Sequence, residues 1–300
     1  MKKMLFFINP NAGHSGIRTQ LLPILETFCT NGYAVRVHTT SGPREITRML
    51  TQEGENYDMV VASGGDGTLN ETIAGLVQLQ RPPVLGYIPA GTVNDVATSL
   101  GLSLNPLDAA RDAVFGEETP LDAGRFNGRA FTYVAAFGAF TEVSYATPQE
   151  SKRALGRLAY LLEGAKSLAN IKPIHTRVTF NGKTEEDDFI LGMVCSTKSV
   201  GGFHAKNVRD MDISLNDGLF EAVFVRDIRN ILNLNDAAAK ALRLDFTDPQ
   251  HFLSFQARDV RVEFDAEVPW TLDGEDGGAC RVAEIHNLHN AVRIRTPRHD

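Results

Sequence analysis

Two short segments carry the residue types needed to hold a chain of phosphates. The first is Gly64-Gly65-Asp66-Gly67-Thr68, which runs on from the apolar stretch 57–63. Glycines admit positive φ and let a ligand approach the backbone closely. The helix expected just after them offers unpaired amides and a positive dipole end to an anion. Asp66 would repel a phosphate unless a cation stood between them, so it reads as a magnesium contact, direct or through water. The second segment, Pro89-Ala90-Gly91-Thr92-Val93-Asn94-Asp95, follows the apolar stretch 84–88 in the same way. A third polar loop, Asn9-Pro10-Asn11-Ala12-Gly13, follows the apolar stretch 4–8. Any one of these can be a tight strand-to-helix connection. Three on one sheet edge point to a nucleotide site. Neither GxxxxGK[ST] nor a GxGxxG after the first strand is present, which argues against a Walker-type NTPase and an ordinary dinucleotide enzyme.

Two acidic constellations stand in the second half. Ser214-Leu215-Asn216-Asp217-Gly218-Leu219-Phe220-Glu221 has the composition of a turn before a strand. Thr271-Leu272-Asp273-Gly274-Glu275-Asp276 gathers three acids around a glycine. Each can be a solvated turn. The second can equally supply a general base that takes the proton of an alcohol while a phosphoryl group is transferred. Residue types alone leave both readings open.

These loops need elements to position them. Apolar stretches at 4–8, 34–38, 57–63 and 84–88 read as buried strands. Between them, Leu21, Leu22, Leu25 and Phe28, then Ile46 and Leu50, then Leu69, Ile73, Leu76 and Val77 recur at helical spacing. Thr68 with Glu71 matches a capping box, and Thr92 with Asp95 would open a further short helix in the same manner. Continuous apolar strands separated by amphipathic helices predict a doubly wound α/β domain with a parallel sheet covered on both faces. Ligands of such sheets lie outside the carboxyl ends of the strands. From about residue 126 the pattern changes to strands at 131–140, 177–180, 189–195, 219–225 and 260–264, with helical stretches at 155–168 and 231–244. Asn181-Gly182 is a hairpin signal. The expected fold is therefore α/β plus β, an N-terminal nucleotide-binding domain over 1–125 and an antiparallel, sandwich-like domain over 126–287. The last strand, 291–295, fits either domain, which leaves open whether 288–300 completes the first.

The net charge of −7 excludes the basic footprint of a nucleic-acid binder and general adhesion to an anionic membrane. Three scattered cysteines, Cys29, Cys195 and Cys280, lack a CxxC spacing and favour reduced thiols in a cytoplasmic protein. The apolar run after Lys2 and Lys3 is too short for a signal peptide, and Asn9 and Pro10 end it. No run approaches the roughly 18 apolar residues of a membrane span. Lys152, Arg153, Arg157 and Lys166 surround Leu155, Leu158, Leu161 and Leu162. They form either a wet helix face or a local patch for an anionic lipid surface.

Together, NPNAG, GGDGTLNE, PAGTVND, Leu121-Asp122-Ala123-Gly124, LNDGLFE and LDGE, in that order, resemble the diacylglycerol kinase catalytic-domain family in its bacterial soluble form. The likeness spans nearly the whole chain. It implies a soluble lipid kinase that uses ATP as co-substrate with Mg2+, its active site in the cleft between an α/β domain and a β-sandwich. It implies that Asn9, Asn11 and Thr39 border the nucleotide and that Gly64, Gly65, Asp66, Gly67, Thr68 and Asn70 hold the phosphates. Thr92 and Asn94 would contact ATP, and Asp66, Asp95 and Asp122 would shape the magnesium–ATP cleft. A structural magnesium would fall to Asp217 with backbone oxygens of Ser214 and Leu219. Glu275 would be the proton acceptor, with Asp273 assisting or exchanging roles. Members often carry a lysine where His14 stands, which lowers the local charge here and leaves Arg18 to compensate. The partners implied are ATP and a lipid at a membrane surface touched peripherally, with no nucleic acid and no transmembrane segment; a homodimer is left open. The rivals are a NAD or other soluble small-molecule kinase sharing GGDGT, and a nucleotide- or lipid-binding protein without turnover.

Overall fold

The computed structural model describes residues 1–12, 17–92, 94–138, 172–196, 199–200, 203–204, 216–227, 246 and 248–298. The helical stretches expected at 155–168 and 231–244, and with them the basic patch, lie outside the described residues. The chain divides into two compact units. One holds Met1–Ala123, Arg129–Thr132 and Leu288–Asp300, the other Gly124–Gly128 and Tyr133–Asn287.

The first unit alternates strand and helix: β1 (Lys2–Ile8), α1 (Ile17–Thr30), β2 (Tyr33–Thr39), α2 (Glu45–Glu53), β3 (Met59–Gly64), α3 (Asp66–Leu76), β4 (Val84–Pro89), α4 (Asp95–Ser99) and α5 (Pro106–Phe115). Its sheet runs β4-β3-β1-β2, all parallel. Met4 to Ile8 are all buried on β1, so both of its faces are covered, as the unbroken apolar run predicts. On one face Met4, Phe6 and Ile8 pack with Ile24 and Phe28 of α1 and with the alanines of α5. Phe6 and Phe28 meet edge to face with ring centroids 5.5 Å apart. Gly86 lets α5 lie against β4, since a Cβ there would come 2.7 Å from the Ala113 methyl.

No element was expected between residues 101 and 131, yet α5 forms there and is followed by β5 (Glu117–Phe126) and β6 (Arg129–Phe131). Its start is local: Asn105 accepts the amides of Leu107 and Asp108, and Pro106 opens the first turn. The apolar residues it buries are small, Ala109, Ala110 and Ala113, which makes a weak hydrophobic signal.

The second unit is antiparallel. It contains β7 (Val134–Gly138), β8 (Ile174–Phe180), β9 (Lys183–Cys195), the short β10 (Ser199–Val200) and β11 (Phe203–His204), β12 (Phe220–Arg226), β13 (Phe252–Ala257), β14 (Asp259–Leu272) and most of β15 (Glu275–Thr296). The order is β13-β12-β9-β7-β14-β15, with β8 paired to both β9 and β14. Asn181 and Gly182 turn β8 into β9 at φ 48° and 73°, the two positive values a type I′ hairpin needs. Strands run longer than their apolar cores because residues such as Glu185 to Asp188 continue the ladder on a wet surface. The apolar face gathers Phe137, Phe264 and Trp270, with Phe137 4.9 Å from each of the other two rings. The expected strand 131–140 divides into β6 and β7. The end of β15 pairs in parallel with β4 through Ile294 and Leu85 and so belongs to the first unit.

The loop from β2 to α2 is closed by one carboxylate. Glu45 Oε2 accepts the Ser41 amide at 2.6 Å, the Ser41 hydroxyl at 2.9 Å and the Gly42 amide at 3.3 Å, while Oε1 lies 2.9 Å from His38 Nε2. The Ser41 amide, then His38 and the Ser41 hydroxyl, hold this carboxyl down at about 2 against its ordinary 4.5. A depressed folded value means stability present above the unfolded value and lost as pH falls toward the folded one. Glu45→Gln should therefore melt below the wild type near neutral pH, with the gap in Tm closing as pH falls from 4.5 to about 2.

Candidate functional site

The sheet order of the first unit reverses between β1 and β3, where ligands of open α/β sheets bind beyond the carboxyl strand ends. Two predicted loops leave the sheet at that point and are joined by side chains. Asn9 donates from Nδ2 to Thr68 Oγ1 at 3.1 Å, and its Oδ1 accepts the Asn11 amide at 3.0 Å. Thr68 therefore lies inside the first turn of α3 instead of capping it. The helix begins two residues earlier, after Gly65, and Glu71 accepts the Arg44 amide, so the expected capping box does not form. Its pattern matched because Thr68 and Glu71 are three apart, a spacing that any helix surface also satisfies.

The loop after β4 is folded by Asn94. This residue sits at φ 56°, and its carboxamide bridges both backbone groups of Gly91, accepting the amide and donating to the carbonyl at 2.9 Å each. Asn94 is the N-cap position of α4 with no side-chain cap, so the expected cap by Thr92 is replaced by this ring. The two glycine loops touch. A Cβ on Gly91 would lie 2.6 Å from Gly65 Cα, and one on Gly65 would lie 3.2 Å from Gly91 Cα. Beneath them the buried Tyr87 hydroxyl donates to the Gly64 carbonyl at 3.0 Å, and the Ala90 amide reaches the same oxygen at 2.7 Å.

Asp66 ties the loops together and keeps one oxygen in reserve. Its Oδ2 accepts the Asn94 amide at 2.9 Å, while the buried Oδ1 has no hydrogen-bond partner. Burial first, and then the charge of Asp95, push its carboxyl above the ordinary range. A buried carboxylate oxygen without a donor is costly as it stands and suits a cation.

Other predicted residues take distinct places. Gly67 and Thr92 are exposed beside the loops, and Thr39 is exposed at the end of β2. Asn70 accepts the Thr132 hydroxyl at 3.2 Å. Asp95 is buried at the start of α4. Asp122 is buried on β5, where Oδ1 accepts the Asn290 amide at 2.7 Å and lies 3.2 Å from His289 Nδ1. Arg18 donates to the Pro10 carbonyl at 3.1 Å, and Gly13 and His14 lie outside the described residues. Tyr87, Thr132, His289 and Asn290 escaped the sequence reading. Only Tyr87 left a signal, as a hydroxyl inside an otherwise apolar strand.

In the second unit, Asp273 and Gly274 form the turn between β14 and β15, and Glu275 stands exposed as the first residue of β15. Asp273 is buried, and its Oδ1 accepts the amides of Tyr133 and Val134 at 2.9 and 3.0 Å. Asp217 is exposed and accepts the Leu219 amide at 2.9 Å, an Asx turn completed by Gly218 at φ 80°. Ser214 lies outside the described residues. Among the described residues no group of three or more His, Cys, Asp or Glu side chains is arranged to hold a metal ion.

Comparison with known proteins covers both units. The family described as diacylglycerol kinase catalytic domain matches residues 3–126, and that described as YegS C-terminal NAD kinase beta sandwich-like domain matches 134–294. A diacylglycerol kinase of Bacillus subtilis is 33% identical over 99% of this chain and 97% of its own length. One from Staphylococcus aureus is 30% identical over 99% and 93%. A crystal structure of a diacylglycerol kinase from Bacillus anthracis covers 98% of this chain and 97% of its own, with a TM-score of 0.81 at 23% identity, a likeness of fold. The loops built from Asn9, Asp66 and Asn94 thus stand in a chain that belongs to the diacylglycerol kinase catalytic-domain family.

Proposed function

We propose that the chain transfers the γ-phosphoryl group of Mg-ATP to a free hydroxyl of diacylglycerol or a closely related lipid. Membership in the family makes it an ATP-dependent lipid kinase. The choice of lipid and the residue roles are the proposal. The observation that carries it is the unpartnered Oδ1 of Asp66, held at the start of α3 beside two glycine loops in backbone contact.

In this reading the triphosphate lies over Gly64–Thr68 and Gly91–Asn94, against the positive end of the α3 dipole. Asn9 and Thr68 fix the edge of that bed, with Asn11 and Thr39 bordering the nucleotide. Asp66 Oδ1 would hold the magnesium, Asp95 and Asp122 would help shape the magnesium–ATP cleft, and the ion would neutralise charge on the phosphates. Asp217, with the backbone of Ser214 and Leu219, would hold a second, structural magnesium. Glu275 takes the acceptor proton as the lipid O–H bond breaks and the new O–P bond forms, and the γ-phosphorus separates from its bridging oxygen to release ADP. No described helix is long and apolar enough to cross a membrane, and the lipid is reached by peripheral contact.

With γ-labelled ATP and a lipid extract, label should enter the chloroform phase as a phosphorylated lipid identified by mass. Label confined to water-soluble product would reject the lipid acceptor. Glu275→Gln should lower kcat by about 10²–10⁴-fold and still bind ATP. Gly91→Ala forces its methyl against the Gly65 backbone. It should raise KM for ATP roughly tenfold or more, with both loops strained by about 1–3 kcal/mol.

A further inference from the structure

We infer that Asp273 is a positioning residue and not an acid–base group: its carboxylate ties the Asp273-Gly274 turn to the backbone of residues 133 and 134 and so fixes Glu275. The inference rests on the phosphoryl-transfer reading above, and it assigns the proton to Glu275.

The turn has a two-residue loop. Leu272 pairs with Glu275, and Asp273 and Gly274 between them sit at φ 53° and 81°. Those are the two positive values of a type I′ turn, for which Asp-Gly is among the preferred pairs. The hairpin tip is otherwise thinly held, since Gly274, Glu275 and Asp276 are all exposed. Asp273 supplies the anchor through four hydrogen bonds. Its Oδ1 accepts from Tyr133 N at 2.9 Å and Val134 N at 3.0 Å, its amide donates to the Val134 carbonyl at 2.8 Å, and its carbonyl accepts the Tyr133 hydroxyl at 3.2 Å. The ladder continues the same contact, with Leu272 opposite Ala135 and Thr271 opposite Ala136. Swinging this carboxylate away would strip the Tyr133 and Val134 amides of their partner, at about 1–3 kcal/mol each, so Oδ1 is committed to holding the turn. Glu275, two residues on, reaches solvent at no such cost. The same fixed turn sets where its carboxylate starts.

Asp273→Asn and Asp273→Gly separate the two roles. Asparagine keeps an oxygen for both amides and tolerates positive φ, while the charge is lost and the second oxygen becomes an NH2 donor. Its kcat should stay within roughly threefold of wild type, with an unchanged acid limb in the pH profile of kcat/KM. Glycine keeps the backbone conformation and the two backbone hydrogen bonds, and removes the two that the carboxylate makes. Its kcat should fall on the order of 10²-fold, the scale of a 1 Å misplacement, with KM for ATP unchanged. An Asp273→Asn enzyme that melts normally yet falls as far as Glu275→Gln overturns the inference and leaves the kinase reading standing. Wild-type kcat in Asp273→Gly overturns it as well. Should that variant not fold, Asp273→Asn decides alone, since asparagine keeps an oxygen for both amides. Full activity in Glu275→Gln would instead remove the underlying assignment of the base.

Discussion

The backbone contact between Gly65 and Gly91 constrains the rest of the first unit's site. Two loops that leave neighbouring strand ends cannot normally approach to contact, because side chains intervene. Here a Cβ on Gly91 would fall 2.6 Å from Gly65 Cα, which excludes one there, and a Cβ on Gly65 would be crowded at 3.2 Å from Gly91 Cα. The approach also has to be held, since bare backbone offers little attraction. Asn94 curls its carboxamide onto both groups of Gly91, and its own amide is accepted by Asp66. Tyr87 secures the Gly64 carbonyl from below. The glycines make the approach sterically feasible, and three polar side chains make it persist.

The second unit reuses the same local chemistry twice with different outcomes. Asp217 and Asp273 each precede a glycine at positive φ. Asp217 bonds only two residues on, to the Leu219 amide, and stays exposed. Asp273 reaches across 139 positions to the Val134 amide and is buried there. The two turns share the Asp-Gly pair. What separates them is a strand, β7, that only the tertiary fold brings alongside one of them.

That contrast explains what could be read from the residues alone. The parallel strands of the first unit were legible because their apolar runs are continuous, and the Asn181-Gly182 hairpin because its φ values demand those residue types. Helix α5 was not, because alanines bury little area and mimic an exposed face. The glycine loops were legible as composition, but their wiring was not. Thr68 and Thr92 both stand three residues before an acid and were assigned as caps, whereas Thr68 Oγ1 is taken by Asn9 and the second loop is closed by Asn94. Long-range partners such as Asn290 for Asp122 carry no spacing signal at all.

Electrostatics then decides what the first unit's site is prepared for. Asp66 and Asp95 are both acids at the glycine loops, and burial first, then the charge of Asp95, raises the Asp66 carboxyl above its ordinary range. Both effects oppose the ionised carboxylate, and a polyanionic ligand brought alone would oppose it further. In the proposed reading a divalent cation would compensate both: it would stabilise the buried carboxylate, offset the Asp95 charge and draw the phosphates in. In that reading the burial of Asp66 disfavours a bare nucleotide and favours its magnesium complex, which is the form a phosphotransferase consumes.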